Sequence, residues 1–213
     1  MKLKNGIMLL LAAFIWGTAF VAQTVGMDYV GPFTFNGVRC FIGAFTLAIV
    51  CLIMELIKKN KGGALAEEKS EAEKKLQRKH LIQGGICCGL ILFIASSLQQ
   101  VGLVYTAPGK AGFITACYIV LVPIIGLFLK RKTGWLIWVA VVLAVAGLYF
   151  LCITEALTIN RGDIYVLLCA LMFSFHIIAV DHFSPLVDGV KLSCSQFLVT
   201  GILSLPFIFG MET

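Results

Sequence analysis

Apolar positions along the chain fall into seven long blocks separated by short polar stretches. The blocks run approximately from Gly6 to Thr24, Phe33 to Ile57, Leu81 to Leu103, Ala111 to Leu129, Trp135 to Ile153, Asp163 to Val180 and Val190 to Phe209. A helix needs roughly 20 mostly apolar residues to cross the hydrocarbon core of a bilayer, and each block comes close to that length. Only helices that satisfy their own backbone hydrogen bonds can occupy such a medium. The pattern therefore predicts an all-α integral membrane protein, a helical bundle of seven transmembrane spans. The link 25–32 carries Gly26, Asp28, Gly31 and Pro32, a turn composition between the first two spans. Residues 58–80 mix both charge signs with two glycines and read as a loop or a fraying helix. The fifth block is nearly pure Val, Ala, Leu and Ile with Gly147, and reads as a lipid-facing or packing helix.

Composition agrees: 60% of the residues are hydrophobic and 13% charged, too apolar for a water-soluble domain of 213 residues. Charge then sets orientation. With the N-terminus inside, the cytoplasmic side collects fourteen basic residues: Lys2, Lys4, the eight of 58–80, Lys130, Arg131, Lys132 and Lys191. The outside receives Lys110 and Arg161, and Arg39 lies within a span, so the positive-inside rule places the N-terminus in the cytoplasm of a multi-pass protein of the cell membrane. The net charge of +6 clusters at span ends, where it meets lipid headgroups, and implies no nucleic-acid partner. The eight cysteines show no metal-ligand spacing and read as reduced apolar fillers without metal. No Gly-rich phosphate loop is present, so no cofactor is expected.

Polar residues inside spans are costly and therefore informative. The first span, too long for a signal peptide and without its cleavage pattern, carries Trp16, Thr18 and Gln23; Trp16 sits about 15 Å from its start. Trp16 reads either as a cavity wall or as an interface anchor. In the second span Asn36 and Arg39 share a face, with Arg39 either snorkelling to the interface or touching solute. The third span opens with Gly84, Gly85 and Gly89 and ends with Ser96, Ser97, Gln99 and Gln100. An elbow of Tyr105, Thr106, Pro108, Gly109 and Lys110 follows; Lys110 is either a solute-facing cation or a loop lysine reaching water. Beyond it, Thr115 and Tyr118 lie three apart on one helical face, ahead of Pro123.

The segments AAFIWGTAF, NGVRCFIGAF and LVYTAPGKAGFITACYIVLVPIIGLFL resemble the EamA branch of the drug/metabolite transporter superfamily, over essentially the whole chain. The resemblance implies ten helices in two inverted five-helix repeats, and a small-molecule solute moved by alternating access, in the export direction. This sequence departs from the pattern after the fourth span, where Lys130, Arg131 and Lys132 stand in place of a common acidic residue. A shift of 156 pairs Gly6 with Gly162, Leu11 with Leu167, Phe41 with Phe197 and Leu47 with Leu203. The domains expected are a first repeat over 1–157 and an incomplete second repeat over 158–213, ending well short of a full copy, which would reach roughly position 313. The chain is thus read as a truncated carrier, or one that a homodimer or partner chain completes. The same shift sets His176 opposite Phe20, as a proton or solute site or as a histidine hydrogen-bonded between helices. The substrate path predicted is Trp16, Thr18, Gln99, Gln100, Lys110, Thr115, Tyr118 and His176.

Other classes fit less well. A seven-span receptor has the opposite orientation, and an intramembrane enzyme needs a convergent motif such as HExxH or paired carboxylates, which the spans lack. A non-transporting membrane subunit or half-carrier stays as the alternative, and a transport assay separates it from a carrier.

Overall fold

The computed structural model describes residues 2–60, 70–130, 134–152 and 160–212, all-helical and without strands among these residues. Its helices are α1 (Lys2–Met27), α2 (Pro32–Asn60), α3 (Glu71–Leu103), α4 (Pro108–Ala116), α5 (Tyr118–Phe128), α6 (Trp135–Cys152), α7 (Arg161–Phe183) and α8 (Gly189–Met211). Helices α4 and α5 form one interrupted span, Pro108–Phe128, so seven rods correspond to the seven apolar blocks. Six of these are long and apolar enough to cross a membrane among the described residues. The seventh, α6, offers the shorter apolar stretch Trp135–Ala146, and residues 147–152, Gly147 among them, lie outside the set whose side chains are described.

Helix α3 reaches well ahead of its apolar run. Ser70 and Glu73 form a capping box: the Ser70 amide donates to Glu73 Oε2 at 2.9 Å and the Ala72 amide donates to Ser70 Oγ at 3.2 Å. Residues 71–80 are therefore helical, a charged extension ahead of the apolar run, whereas 61–69 lie outside the described residues.

Two compact units divide the described chain. One contains residues 1–35 and 95–174, the other 36–94 and 175–213. In the second unit α3 and α8 touch through small residues. A Cβ at Gly89 would stand 2.6 Å from Val199 Cβ and 2.9 Å from the Gln196 carbonyl oxygen, and Thr200 Oγ1 donates to the Gly89 carbonyl at 3.0 Å. Without a hydrophobic force between helices in lipid, such close contacts and interhelical hydrogen bonds carry the association. In the first unit Phe20, Leu103, Ala111 and Val166 form the buried cluster. There α3 meets α7 glycine to glycine: a Cβ on Gly162 would lie 2.5 Å from Thr106 Oγ1 and 2.7 Å from the Gly102 carbonyl oxygen. Gly162→Ala is expected to destabilise the purified chain by about 1–3 kcal/mol through overpacking, read by thermal unfolding in detergent.

Candidate functional site

The interrupted span positions the candidate site. Pro108 starts α4 at a position where its missing amide is harmless. Six residues after the α4–α5 junction begins, Pro123 lies inside α5 and cannot donate to the preceding turn. The junction itself is Cys117, whose amide donates to the Ile114 carbonyl at 3.1 Å while its own carbonyl accepts from Val120 and Leu121 at 2.9 and 3.1 Å. The tightened turn shifts the face that α5 presents relative to α4.

Helix α1 packs on α4, and between them opens a cavity of about 410 Å3. Trp16 and Phe20 line it from α1, and Gly112, Phe113, Thr115 and Tyr118 from α4 and α5. Trp16 stacks on Tyr118 with ring centroids 5.8 Å apart and planes 19° apart, and meets Phe173 edge-on at 6.4 Å. The wall is thus aromatic with a few hydroxyl groups. Thr115 is buried, and Gln99 Nε2 donates to its Oγ1 at 3.4 Å. Of the predicted path, Trp16, Thr115 and Tyr118 line this cavity and Gln99 stands behind it.

The other predicted residues go elsewhere. Thr18 is exposed, and its hydroxyl donates back to the Phe14 and Ile15 carbonyls of its own helix at 3.2 and 2.9 Å. Gln100 is fully buried, and neither its amide nitrogen and oxygen nor Ser97 Oγ finds a hydrogen-bond partner among the described residues. Buried amides without partners are rare because they forfeit their hydration. His176 belongs to the second unit, where its Nε2 lies 2.9 Å from Gln196 Oε1 across α7 and α8. Arg39 donates to Asn36 Oδ1 at 2.9 Å, one turn away on its own helix.

Lys110 is drawn into an ion pair. Its Nζ lies 2.6 Å from Asp163 Oδ2, with the two side chains 20% and 7% exposed. Thr106 Oγ1 is 2.8 Å from both Asp163 Oδ1 and Asn160 Oδ1. At the start of α7, Asn160 and Asp163 cap each other: the Asn160 amide donates to Asp163 Oδ2 at 2.8 Å and the Asp163 amide to Asn160 Oδ1 at 3.0 Å. The cluster pins the α3–α4 elbow to the first turn of α7. Asp163, Thr106 and Asn160 are not on the predicted substrate path. The Asn-x-x-Asp spacing at the head of a span signals the cap, but nothing local signals the lysine 53 residues away. Arg131 and Lys132, the predicted departure after the fourth span, lie outside the described residues; Lys130 closes α5 in the left-handed region at φ 56°.

The comparisons with known proteins agree with one another. The model of the EamA-like transporter family matches residues 4–153. An uncharacterized transporter of Archaeoglobus fulgidus is 34% identical over 93% of this chain and 56% of its own length. The uncharacterized transporter YoaV of Bacillus subtilis is 24% identical over 93% of this chain and 64% of its own length. The chain thus spans less than two thirds of the length of either relative, and no solved structure matches it. With a family model covering most of its residues, the chain belongs to the EamA-like transporter family.

Proposed function

We propose that the chain takes part in moving small organic metabolites or drugs across the plasma membrane by alternating access, in the export direction. The observation that carries this reading is the cavity of about 410 Å3 between α1 and the interrupted α4–α5 span, walled by Trp16, Phe20, Phe113 and Tyr118. Its volume lies in the range that holds a small organic ligand, roughly 300–1,000 Å3. The helix break at Cys117, with Pro123 inside the following α5, supports it, because solute sites in transporters gather at discontinuous spans. The repeat organisation, residues 1–157 as a first repeat and 158–213 as part of an inverted second, belongs to this proposal; the family match over 4–153 supports the first half. So does the orientation with a cytoplasmic N-terminus, which rests on the basic residues at span ends. Gln100 and Ser97 would add unfilled hydrogen-bonding capacity near the outer end of α3.

The test is transport by the purified chain in proteoliposomes, against a panel of amino acids, nucleobases and amphipathic aromatic compounds. Gradient-driven flux of at least one compound, lowered about tenfold or more by Trp16→Ala, is the expected result; the factor corresponds to roughly 1.4 kcal/mol of lost aromatic contact. Flux from no member of the panel favours the alternative, a non-transporting subunit or a half-carrier working as a homodimer or with a partner chain. Crosslinking in native membranes then identifies that partner.

A further inference from the structure

A second cavity, of about 400 Å3, lies in the other unit, far in sequence from the aromatic one. Its lining follows from helical periodicity. Cys51, Met54 and Glu55 share one face of α2, Lys74, Gln77, Arg78 and Leu81 share one face of α3, and the α7–α8 turn with the head of α8 adds Val187, Asp188 and Lys191. The chemistry is graded. Cys51, Met54, Leu81 and Val187 make an apolar floor, and Lys74, Arg78 and Lys191 bring three cations to the rim.

The acidic groups of the rim are engaged. Glu55 Oε1 receives Lys191 Nζ at 2.6 Å, and Asp188 Oδ1 caps α8 by accepting from the Val190 and Lys191 amides at 3.0 and 3.2 Å. Among the described residues Lys74 pairs with Glu71 on its own exposed helix surface, 2.7 Å away, an interaction of small worth. Arg78 forms no ion pair among the described residues, and its planar fork suits two oxygens of one phosphate. Leu81 opens the apolar run of α3, so this rim stands where the span meets the headgroup region. A ligand that fits must put an anion on the rim and hydrocarbon on the floor.

We infer that this cavity is a binding site for the phosphate headgroup of an anionic phospholipid, held by Arg78 and Lys74 with its glycerol and upper acyl carbons over Met54 and Leu81. The apolar floor, continuous with the span, favours a lipid over free phosphate. This inference is independent of the transport proposal, since it concerns different residues and needs no flux.

The experiment uses the full chain in detergent micelles, titrated with short-chain phosphatidylglycerol, phosphatidylcholine or inorganic phosphate, with binding read by native mass spectrometry and thermal unfolding. Phosphatidylglycerol is expected to bind and raise the unfolding temperature, and phosphatidylcholine at the same concentration is not. The double variant Lys74→Gln, Arg78→Gln is expected to weaken phosphatidylglycerol binding by roughly tenfold or more, from two lost attractions of a basic side chain for an anionic headgroup. Lys79→Gln removes one charge from α3 on a face about 140° away and should leave binding within about twofold. Equal weakening by Lys79→Gln would show a merely polybasic helix and overturn the site. Full binding by the double variant, or equal stabilisation by inorganic phosphate alone, would overturn it as well.

Discussion

Asp163→Ala and Lys110→Ala are each expected to lower the stability of the chain by about 1.5–3 kcal/mol, the range for losing a hydrogen bond to a charged group in a part-buried ion pair. Asp163→Ala is the worse of the two. It strips Lys110 of its carboxylate and also removes the capping bond to the Asn160 amide at the head of α7. Lys110→Ala leaves Asp163 with the Thr106 hydroxyl and the Asn160 amide as donors, so part of its charge stays compensated. Asp163→Asn keeps a side chain of the same shape and falls between wild type and alanine. The double variant Lys110→Ala, Asp163→Ala should lose less than the two single losses added together, because the second truncation removes a group already left unpaired. Equilibrium unfolding of the purified variants in mixed micelles measures each difference. Additive losses would mean that the 2.6 Å contact contributes nothing specific.

How much of this was legible along the chain depends on the range of the physics involved. The seven apolar blocks are read directly, because a bilayer imposes length and composition on each helix separately. Gly84, Gly85 and Gly89 signal close helix contact, and α3 indeed approaches α8 at Gly85 and Gly89. Pro123 marks a weakened span, yet the break lies six residues earlier at Cys117, and α5 continues through the proline. Thr18 is on the predicted path, and its hydroxyl bonds to the Phe14 and Ile15 carbonyls, a satisfaction available to any helical threonine. The hydrogen bond of His176 to Gln196 and the ion pair of Lys110 with Asp163 join different helices, and no local spacing encodes such a partner. The stacking of Trp16 on Tyr118 is likewise a tertiary fact. The sequence nominates both rings as polar-edged aromatics within spans, and both line the cavity between α1 and α4–α5.

Gly112→Leu is expected to abolish the transport proposed here while leaving the fold intact. A Cβ at Gly112 meets only Phe20, at 3.9 Å, an ordinary contact, so the position tolerates a side chain that the cavity must then hold. Four added carbons would occupy space beside Phe113 and Tyr118 that a solute needs. Gly112→Ala serves as the paired control: it adds one methyl group, keeps transport, and should stabilise α4 by about 0.5–1 kcal/mol through lower chain entropy before folding. The contrast with Gly162, where the same added methyl collides with Thr106 and the Gly102 backbone, separates a glycine that leaves room for solute from one that permits helix contact. Flux in proteoliposomes and the unfolding temperature, measured on the same preparations, read both effects. Transport by Gly112→Leu equal to wild type would place the solute elsewhere.

Cysteine labelling in native membranes tests whether the groove between α1 and α4–α5 is a water-accessible solute site. In a background without the native cysteines, Gly112→Cys on the cavity wall is compared with Val142→Cys on α6, a helix assigned no contact with solute. The cavity cysteine is expected to react with a membrane-impermeant thiol reagent roughly tenfold faster or more, because a thiol must meet water and ionise before it reacts. A transported compound should slow that reaction and leave the α6 cysteine unaffected. Equal rates at the two positions, with no protection by any compound that crosses the membrane, would contradict the claim.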